Sequence, residues 1–287
     1  MNLRVGINLP DQAALAALMA TGPLSFVAGG TDVMVAGRGL TGAGRLVDLS
    51  RVAGLAFIAA TGADIRIGAA TTVAALAADP ALRARLPALA QAAAQCGSVQ
   101  IRNRATIGGN IANAAPAADL IPVLLAAEAR LRLALPGGAR AEVALDGFTL
   151  PPGALITEVI LPGPALLGRS AFAKLGARRE LTIARLNLAL LADYHHGRFG
   201  AVRLVAGALG PRPRRLPRAE AALAGQVLKA ATLRTWLAAL TAEVEAAIPG
   251  RAALAWKRRA IAGAGLAVVA DVAGLALDAP LFEAVAA

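Results

Sequence analysis

Ile101-Arg-Asn-Arg-Ala-Thr-Ile-Gly-Gly-Asn-Ile-Ala-Asn-Ala-Ala-Pro-Ala-Ala-Asp119 is the stretch on which the reading of this chain turns. After Arg104 it carries no charge until Asp119, it is rich in small residues, and it holds Gly108-Gly109 beside Asn110 and Asn113. Paired glycines let a backbone turn through positive φ or approach a ligand closely. The two asparagines add amide donors and acceptors, and Asp119 stands where it can cap the apolar helical run Leu120–Ala127. A lone Gly-Gly would be an ordinary surface turn. A run this long between two apolar helical patterns predicts a binding loop instead.

Working outward, composition narrows the classes. At 287 residues the chain can hold two compact domains with ample core. Apolar residues reach 57%, much of it alanine, while aromatics are only 3%. The longest charge-free stretch, Gln12–Thr31, is broken by Gly22-Pro23 and Gly29-Gly30, so it fails as a membrane span. Met1-Asn-Leu-Arg-Val lacks the charged region, apolar core and cleavage site of a secretory signal, and a cytoplasmic location is expected. The single cysteine, Cys96, excludes an intramolecular disulfide and fits a reducing compartment. With only His195-His196 beside it in the inventory, the chain cannot build a zinc or iron–sulfur site alone, so redox metals would come from other chains. The net charge of +11 raises the question of nucleic acid. The basic residues are scattered, and few aromatic platforms lie between them, which favours an acidic protein partner or an anionic cofactor.

The order of elements is legible in outline. Pro10-Asp11 opens a short helix that stops at Thr21-Gly22-Pro23. Leu24–Val27 reads as a buried strand running into Ala28-Gly-Gly-Thr-Asp32, a second candidate ligand loop whose N–H groups could hold an anion. Gly37-Arg-Gly39-Leu-Thr-Gly42 has the spelling of a dinucleotide fingerprint, but the strand-like Leu46–Leu49 follows it where a helix is required, so the match is accidental. Strand signals continue at Leu55–Ile58 and Asp64–Ile67. Thr71 is placed to cap a helix ending near Asp79-Pro80, and a longer helix is expected over 81–95. Beyond Leu120, a hairpin is expected over 129–145 about Pro136-Gly137-Gly138, then a strand at Leu155–Leu161 closed by Pro162-Gly163-Pro164, the domain boundary. The second half reads as long strands, Ser170–Ala177, Thr182–Tyr194 and Phe199–Leu209, with His195-His196-Gly197 as a hairpin turn and Pro211-Arg-Pro213 ending the sheet. Helices follow at 218–223, 231–248 and about 256–272, the second with Leu233, Trp236, Leu237, Leu240, Val244 and Ile248 on one face. No hydrolytic triad or P-loop is present, and the two glycine segments at 28–32 and 106–110 remain as the chemistry-bearing features.

Those segments carry a likeness. Ala28-Gly-Gly-Thr-Asp32, then Ile101-Arg-Asn-x-Ala-Thr-Ile-Gly-Gly-Asn-Ile-Ala-Asn113 with Pro116 and Asp119, then Lys174-x-x-x-Arg178-Arg179 and Gly207-x-x-Gly210-Pro-x-Pro213 occur in this order. Together they resemble the FAD-binding medium subunit of the molybdenum hydroxylases, the family of xanthine dehydrogenase and carbon monoxide dehydrogenase. The resemblance covers nearly the whole chain. It implies an α+β protein: a two-part FAD-binding domain of the vanillyl-alcohol-oxidase (p-cresol methylhydroxylase) type at 1–164, with subdomains of about 1–54 and 55–164, then an antiparallel sheet-plus-helices domain at 165–287.

By motif position, the resemblance assigns Phe26, Val27, Ala28, Gly29, Gly30, Thr31, Asp32 and Val33, with Thr106, Ile107, Gly108, Gly109 and Asn110, to the FAD diphosphate, their N–H groups answering its charge. It places Ile101, Asn113 and Asp119 in the same site, Ile156 against the cofactor, and Lys174 near the flavin, where its charge would favour the anionic reduced ring. Alternatively, Lys174 pairs with a carboxylate on a strand. No residue is assigned a catalytic or metal-binding role. Cys96 falls where xanthine dehydrogenase-like chains can carry an aromatic, and a buried structural thiol is expected there. With no histidine in the N-terminal domain, FAD is expected to be non-covalent. The implied partners are a small subunit with two [2Fe–2S] clusters and a large subunit with a molybdopterin cofactor, assembled as a dimer of heterotrimers, with no nucleic acid and no membrane span. FAD would pass electrons from the clusters to NAD⁺, a quinone or O2. The competing readings are a basic non-catalytic adaptor or nucleic-acid-binding protein, and a Rossmann dehydrogenase resting only on Gly37–Gly42.

Overall fold

The computed structural model describes residues 7–22, 24–35, 45–166, 168–178 and 181–286. The Gly37–Gly42 run and Arg179 lie outside the described residues. The chain opens with β1 (Ile7–Asn8), α1 (Gln12–Met19), β2 (Leu24–Val27) and β3 (Arg45–Asp48), the strands forming a small parallel sheet in the order β1-β3-β2. Asp11 starts α1, its carboxylate accepting the Ala14 N–H at 2.9 Å. Leu15 and Met19, one turn apart, then face inward onto Leu24, Val47, Leu49 and Leu55.

Next come β4 (Ile58–Thr61), β5 (Asp64–Gly68), α2 (Val73–Ala78), α3 (Pro80–Arg85), α4 (Pro87–Ala94), α5 (Val99–Arg104), α6 (Ile107–Asn113), α7 (Leu120–Ala126), β6 (Arg130–Ala134), β7 (Arg140–Ala144) and β8 (Leu155–Leu161). β4 through β8 make an antiparallel sheet in the order β4-β5-β8-β6-β7. Four expectations change here. The first of these strands begins at Ile58, where the strand signal at Leu55–Ile58 ends. Thr72, not Thr71, caps α2 through its hydroxyl, because Thr71 is buried and exchanges hydrogen bonds with both backbone groups of Phe57. The helix expected over 81–95 breaks at Leu86 (φ −146°, ψ 64°), since the following Pro87 disfavours helical backbone at that residue. Finally, 101–119 is not one long loop: Ser98 and Thr106 each cap a short helix, so most of 99–113 is helical.

β9 (Arg169–Leu175), β10 (Leu186–His195), β11 (Arg198–Gly207) and β12 (Arg214–Arg215) build an antiparallel sheet in the order β12-β11-β10-β9. His196 and Gly197 both have positive φ (48° and 77°), as a two-residue hairpin turn requires. The sheet does not end at Pro211-Arg-Pro213, because β12 beyond it pairs with Val205 and Ala206. Helices α8 (Pro217–Leu223), α9 (Ala230–Ala247), α10 (Leu254–Ala273) and α11 (Pro280–Ala286) follow. Leu233, Trp236, Leu240 and Val244 of α9 are fully buried in the core these elements share with the sheet.

The packing is discontinuous in sequence. One compact unit gathers the residues up to Leu76 with Ser98–Ala114 and Glu128–Pro164. The other gathers Ala77–Gly97, Ala115–Ala127 and the residues from Ala165 onward. In this second unit α4 packs on β9, and α7 on β10 and β11. Among the described residues no helix is long and apolar enough to cross a membrane.

Candidate functional site

In the first unit the two glycine segments meet. β2 delivers the chain into Ala28 with the Val27 carbonyl already accepting from Leu49 N–H at 2.8 Å. Gly30 then takes φ +71°, and its carbonyl accepts the Met34 N–H at 3.0 Å, closing a tight turn. Gly29 sits flat on the end of α5: a Cβ there would lie 1.9 Å from the Arg104 carbonyl oxygen. Only glycine lets these two backbones approach so closely. Along this loop the N–H groups of Ala28, Gly29, Gly30, Thr31 and Val33 have no acceptor among the described residues. A row of unspent, partly buried donors on a fixed turn is an anion cradle.

The central segment plays a different part. Ala105 ties it to α2 by accepting the Val73 N–H at 2.8 Å. Ile107 N–H donates to the Thr71 carbonyl at 3.0 Å, and Gly108 N–H to the Ala69 carbonyl at 2.9 Å. The Thr106 hydroxyl takes the Gly109 N–H at 3.1 Å, and its carbonyl takes that of Asn110 at 2.9 Å. The N–H groups from Ile107 to Asn110 are therefore committed inside the chain. Gly108 is glycine because Ala69 leaves no room, with a Cβ only 2.7 Å from the Ala69 methyl. What this segment leaves unpaired is the Asn110 side-chain oxygen, which is buried without a hydrogen-bond partner among the described residues, as is the Ser25 hydroxyl on β2. Gly109 and Asn113 are exposed, Ile101 is 38% exposed, and Ile156 is buried on β8, against which α6 packs.

Asp119 and Lys174 belong to the second unit, and they are bonded to each other. Lys174 Nζ lies 2.6 Å from Asp119 Oδ2 and 2.9 Å from the Gln95 carbonyl, with both charged side chains buried. Asp119 makes no cap bond to α7 because its oxygens are taken, Oδ2 by Lys174 and Oδ1 by Asn187 Nδ2 at 3.1 Å. Burial pushes the Asp119 carboxyl above its usual range, against the pull of Lys174 and the Asn187 hydrogen bond. The carboxylate partner of Lys174 thus stands at a helix start, not on a strand. Cys96, expected buried, is half-buried just beyond α4.

Asn187 was not singled out by the sequence reading. It lies opposite Lys174 in the β9–β10 ladder and opposite Gly207 in the β10–β11 ladder. Its Oδ1 fills the space a Gly207 side chain would need, a Cβ falling 2.1 Å away. The available signal was one amide within the apolar run Leu186–Leu191. Lys257 was also missed. Its ammonium donates to the Ala208 carbonyl, and Ala208 N–H donates to the Pro116 carbonyl at 2.7 Å, which joins the Gly207–Pro213 segment to Pro116. Burial lowers the Lys257 pKa. Among the described residues no group of three or more metal-ligating side chains gathers.

A sequence profile described as the FAD binding domain in molybdopterin dehydrogenase matches residues 11–164, more than half of the chain. This chain belongs to that family. A second profile, the CO dehydrogenase flavoprotein C-terminal domain, matches residues 171–270 of the flavin subunit. Relatives include the putative xanthine dehydrogenase FAD-binding subunit of Escherichia coli K12, 35% identical over 71% of this chain and 73% of its own. The nicotinate dehydrogenase FAD-subunit of Eubacterium barkeri is 28% identical over 87% and 88%. Among solved structures, a chain of the carbon monoxide dehydrogenase of Hydrogenophaga pseudoflava that lacks the Mo-pyranopterin moiety superposes with a TM-score of 0.80 at 26% identity, covering 93% of this chain and 96% of that one. The α+β architecture, an FAD-binding domain followed by a C-terminal flavoprotein domain, is that of these oxidoreductase subunits.

The residues present fit the cofactor the family takes. The N–H groups of Ala28, Gly29, Gly30, Thr31 and Val33, which have no acceptor among the described residues, suit a diphosphate, and the Asn110 oxygen, buried with no partner among those residues, can accept from a ligand hydroxyl or amide.

Proposed function

We propose that this chain holds one FAD non-covalently and acts as the electron-transfer subunit of a molybdenum hydroxylase. It takes electrons from the [2Fe–2S] clusters of a small partner subunit and passes them to NAD⁺, a quinone or O2. The observation that carries this reading is the row of unpaired N–H groups on the Gly29-Gly30 turn. In this reading Ala28, Gly29, Gly30, Thr31 and Val33 receive the diphosphate, with Phe26, Val27 and Asp32 shaping the turn around it. Thr106, Ile107 and Gly108 belong to the same diphosphate site by motif position, although the Ile107 and Gly108 N–H groups are spent on the Thr71 and Ala69 carbonyls. Ile101, Gly109, Asn110, Asn113 and Ile156 supply the surfaces and amides that orient the rest of the molecule. Within the second unit the Lys174 ammonium is held by Asp119, which Asn187 fixes in turn, and a place for Lys174 near the flavin is what the resemblance implies. Bound FAD supplies the electron-accepting ring, and the chain contributes binding, orientation and electrostatics.

The domain scheme proposed is 1–164 for FAD and 165–287 for the C-terminal part, a division the profile limits support. The whole would be a cytoplasmic dimer of heterotrimers whose large subunit carries the molybdopterin cofactor. With one cysteine, this chain has no cluster ligands of its own to offer, which favours clusters on a partner.

The full-length chain purified in a flavin-replete host should be yellow, with one FAD per polypeptide. Denaturing precipitation should leave that flavin in the supernatant. A colourless protein that also fails to quench the fluorescence of added FAD would refute the proposal. Nucleic-acid affinity with a steep salt slope would then favour the basic-adaptor reading.

A further inference from the structure

The first unit contains a cavity of about 470 Å³ that none of the proposed flavin residues lines. One wall is apolar, made by Leu15 and Met19 of α1 with Phe57 and Leu133. That volume and that mix of apolar wall with a few convergent polar groups are typical of small-molecule sites.

The rest of the lining carries charge, and its hydrogen bonding is unbalanced. Glu158 is buried on β8, and both its oxygens are taken: Oε1 by Arg66 Nε, and Oε2 by Arg66 Nη2 at 2.7 Å and Arg132 Nη1 at 3.2 Å. Glu142 is likewise committed, to Arg130 Nε at 3.0 Å and Arg132 Nε at 3.2 Å. Burial works against the Glu158 charge, but the Arg66 hydrogen bond and the two guanidinium charges outweigh it and hold the carboxyl below its usual range. Every oxygen of both carboxylates thus already accepts at least one guanidinium N–H. The donors are not all engaged. Arg66 Nη1 and Arg132 Nη2 have no acceptor among the described residues, and Arg140, at the start of β7, has no ion pair or hydrogen bond there at all. The lining holds three arginines against two carboxylates that arginine already pairs, and the spare guanidinium donors favour an anion.

We infer that this cavity binds an organic oxyanion, a carboxylate or phosphate borne on a small apolar body. The charged end meets Arg66, Arg132 and Arg140, and the apolar body lies against Leu15, Met19 and Phe57. The inference stands apart from the flavin reading, because no residue of 26–33 or 106–113 lines the cavity.

The test is calorimetric titration of the full-length protein, as purified and in phosphate-free buffer, with benzoate and phenyl phosphate. Inorganic phosphate and benzyl alcohol serve as the charge-only and apolar-only probes. At least one of the first two should saturate a single site, and both controls should bind at least tenfold more weakly. Which of the two binds better tells carboxylate from phosphate. Arg140→Gln removes an exposed, unpaired charge, and Ala16→Trp fills the cavity from the half-exposed face of α1. Each should weaken binding about tenfold or more, the worth of one charge-assisted hydrogen bond or a blocked apolar surface. The visible flavin spectrum should not change on titration. Four outcomes would overturn the inference: no saturable binding of either probe, binding untouched by both variants, inorganic phosphate binding as well as phenyl phosphate, or displacement of flavin by the probe.

Discussion

Replacing Gly29 by alanine tests the proposed cofactor cradle at its tightest point. The added methyl would lie 1.9 Å from the Arg104 oxygen, 2.5 Å from its carbonyl carbon and 2.9 Å from the Ala105 nitrogen. All three atoms are backbone, so no rotamer change relieves the clash. Ala105 is itself pinned, its N–H donating to Ile101 at 2.7 Å and its carbonyl accepting from Val73 at 2.8 Å. The glycine loop must therefore move away from α5. Overpacking of this kind costs about 1–3 kcal/mol, a drop of several degrees in Tm. The same displacement takes the neighbouring N–H groups of Ala28 and Gly30 off the diphosphate. Two charge-assisted hydrogen bonds at about 1.5 kcal/mol each come to about 3 kcal/mol, roughly a hundredfold rise in the FAD Kd. Fluorescence titration of flavin-stripped protein with FAD measures the Kd, and a thermal melt measures stability. Gly62→Ala is the control: φ there is +60° with nothing within 4 Å, so it carries the strain of a positive φ without the collision. If Gly29→Ala binds FAD as tightly as Gly62→Ala does, the 28–33 turn does not hold the diphosphate.

Two further outcomes follow from the second unit. Lys174→Met leaves Asp119 buried beside Asn187 alone, which should destabilise by about 3–5 kcal/mol at neutral pH, whereas Lys174→Met with Asp119→Asn should recover much of the loss. Because burial already raises the Asp119 pKa above its unfolded value, the folded state binds the extra proton. Its contribution is greatest below the unfolded pKa and is lost as pH rises through the folded one. Without Lys174 that window extends upward, so urea midpoints of Lys174→Met should approach wild type on acidification; a deficit independent of pH would contradict this. Gly207→Ala drives a methyl into Asn187 Oδ1 and should cost about 1–3 kcal/mol. Adding Asn187→Ala should relieve part of that cost, and strict additivity of the two in chemical denaturation would show that the contact is not the cause.

Much of the architecture could be read in advance because its signals are local. Asp11 before an alanine-rich run, Pro136-Gly137-Gly138 between alternating strands, and His196-Gly197 between two long apolar runs each dictate a turn or cap through their own backbone chemistry. The departures arose where a local signal met a tertiary competitor. Thr71 looks like a cap, but its hydroxyl is claimed by Phe57, across a turn that only the folded sheet creates. Asp119 likewise looks like a cap, but Lys174 and Asn187, far away in the chain, take both its oxygens. The segment 101–119 reads as loop because glycine and asparagine disfavour helix, yet Thr106 capping and the Ala69 and Thr71 carbonyls make helix the better use of those N–H groups.

The sequence alone determined the family, through the order and spelling of its glycine and asparagine motifs, and also most of the caps, turns and long apolar elements. Residue identity suffices for both, since caps, turns and apolar periodicity act over a few residues. What only the tertiary structure decided is which glycine segment offers donors. Both segments contain paired glycines, and no local rule separates them. One packs against the Ala69 and Thr71 carbonyls and spends its N–H groups; the other is pressed by Gly29 onto α5 and leaves those of Ala28, Gly29, Gly30, Thr31 and Val33 without an acceptor among the described residues. A hydrogen bond is satisfied or left open by whatever distant backbone folding brings beside it, and that partner is not written in the neighbouring residues.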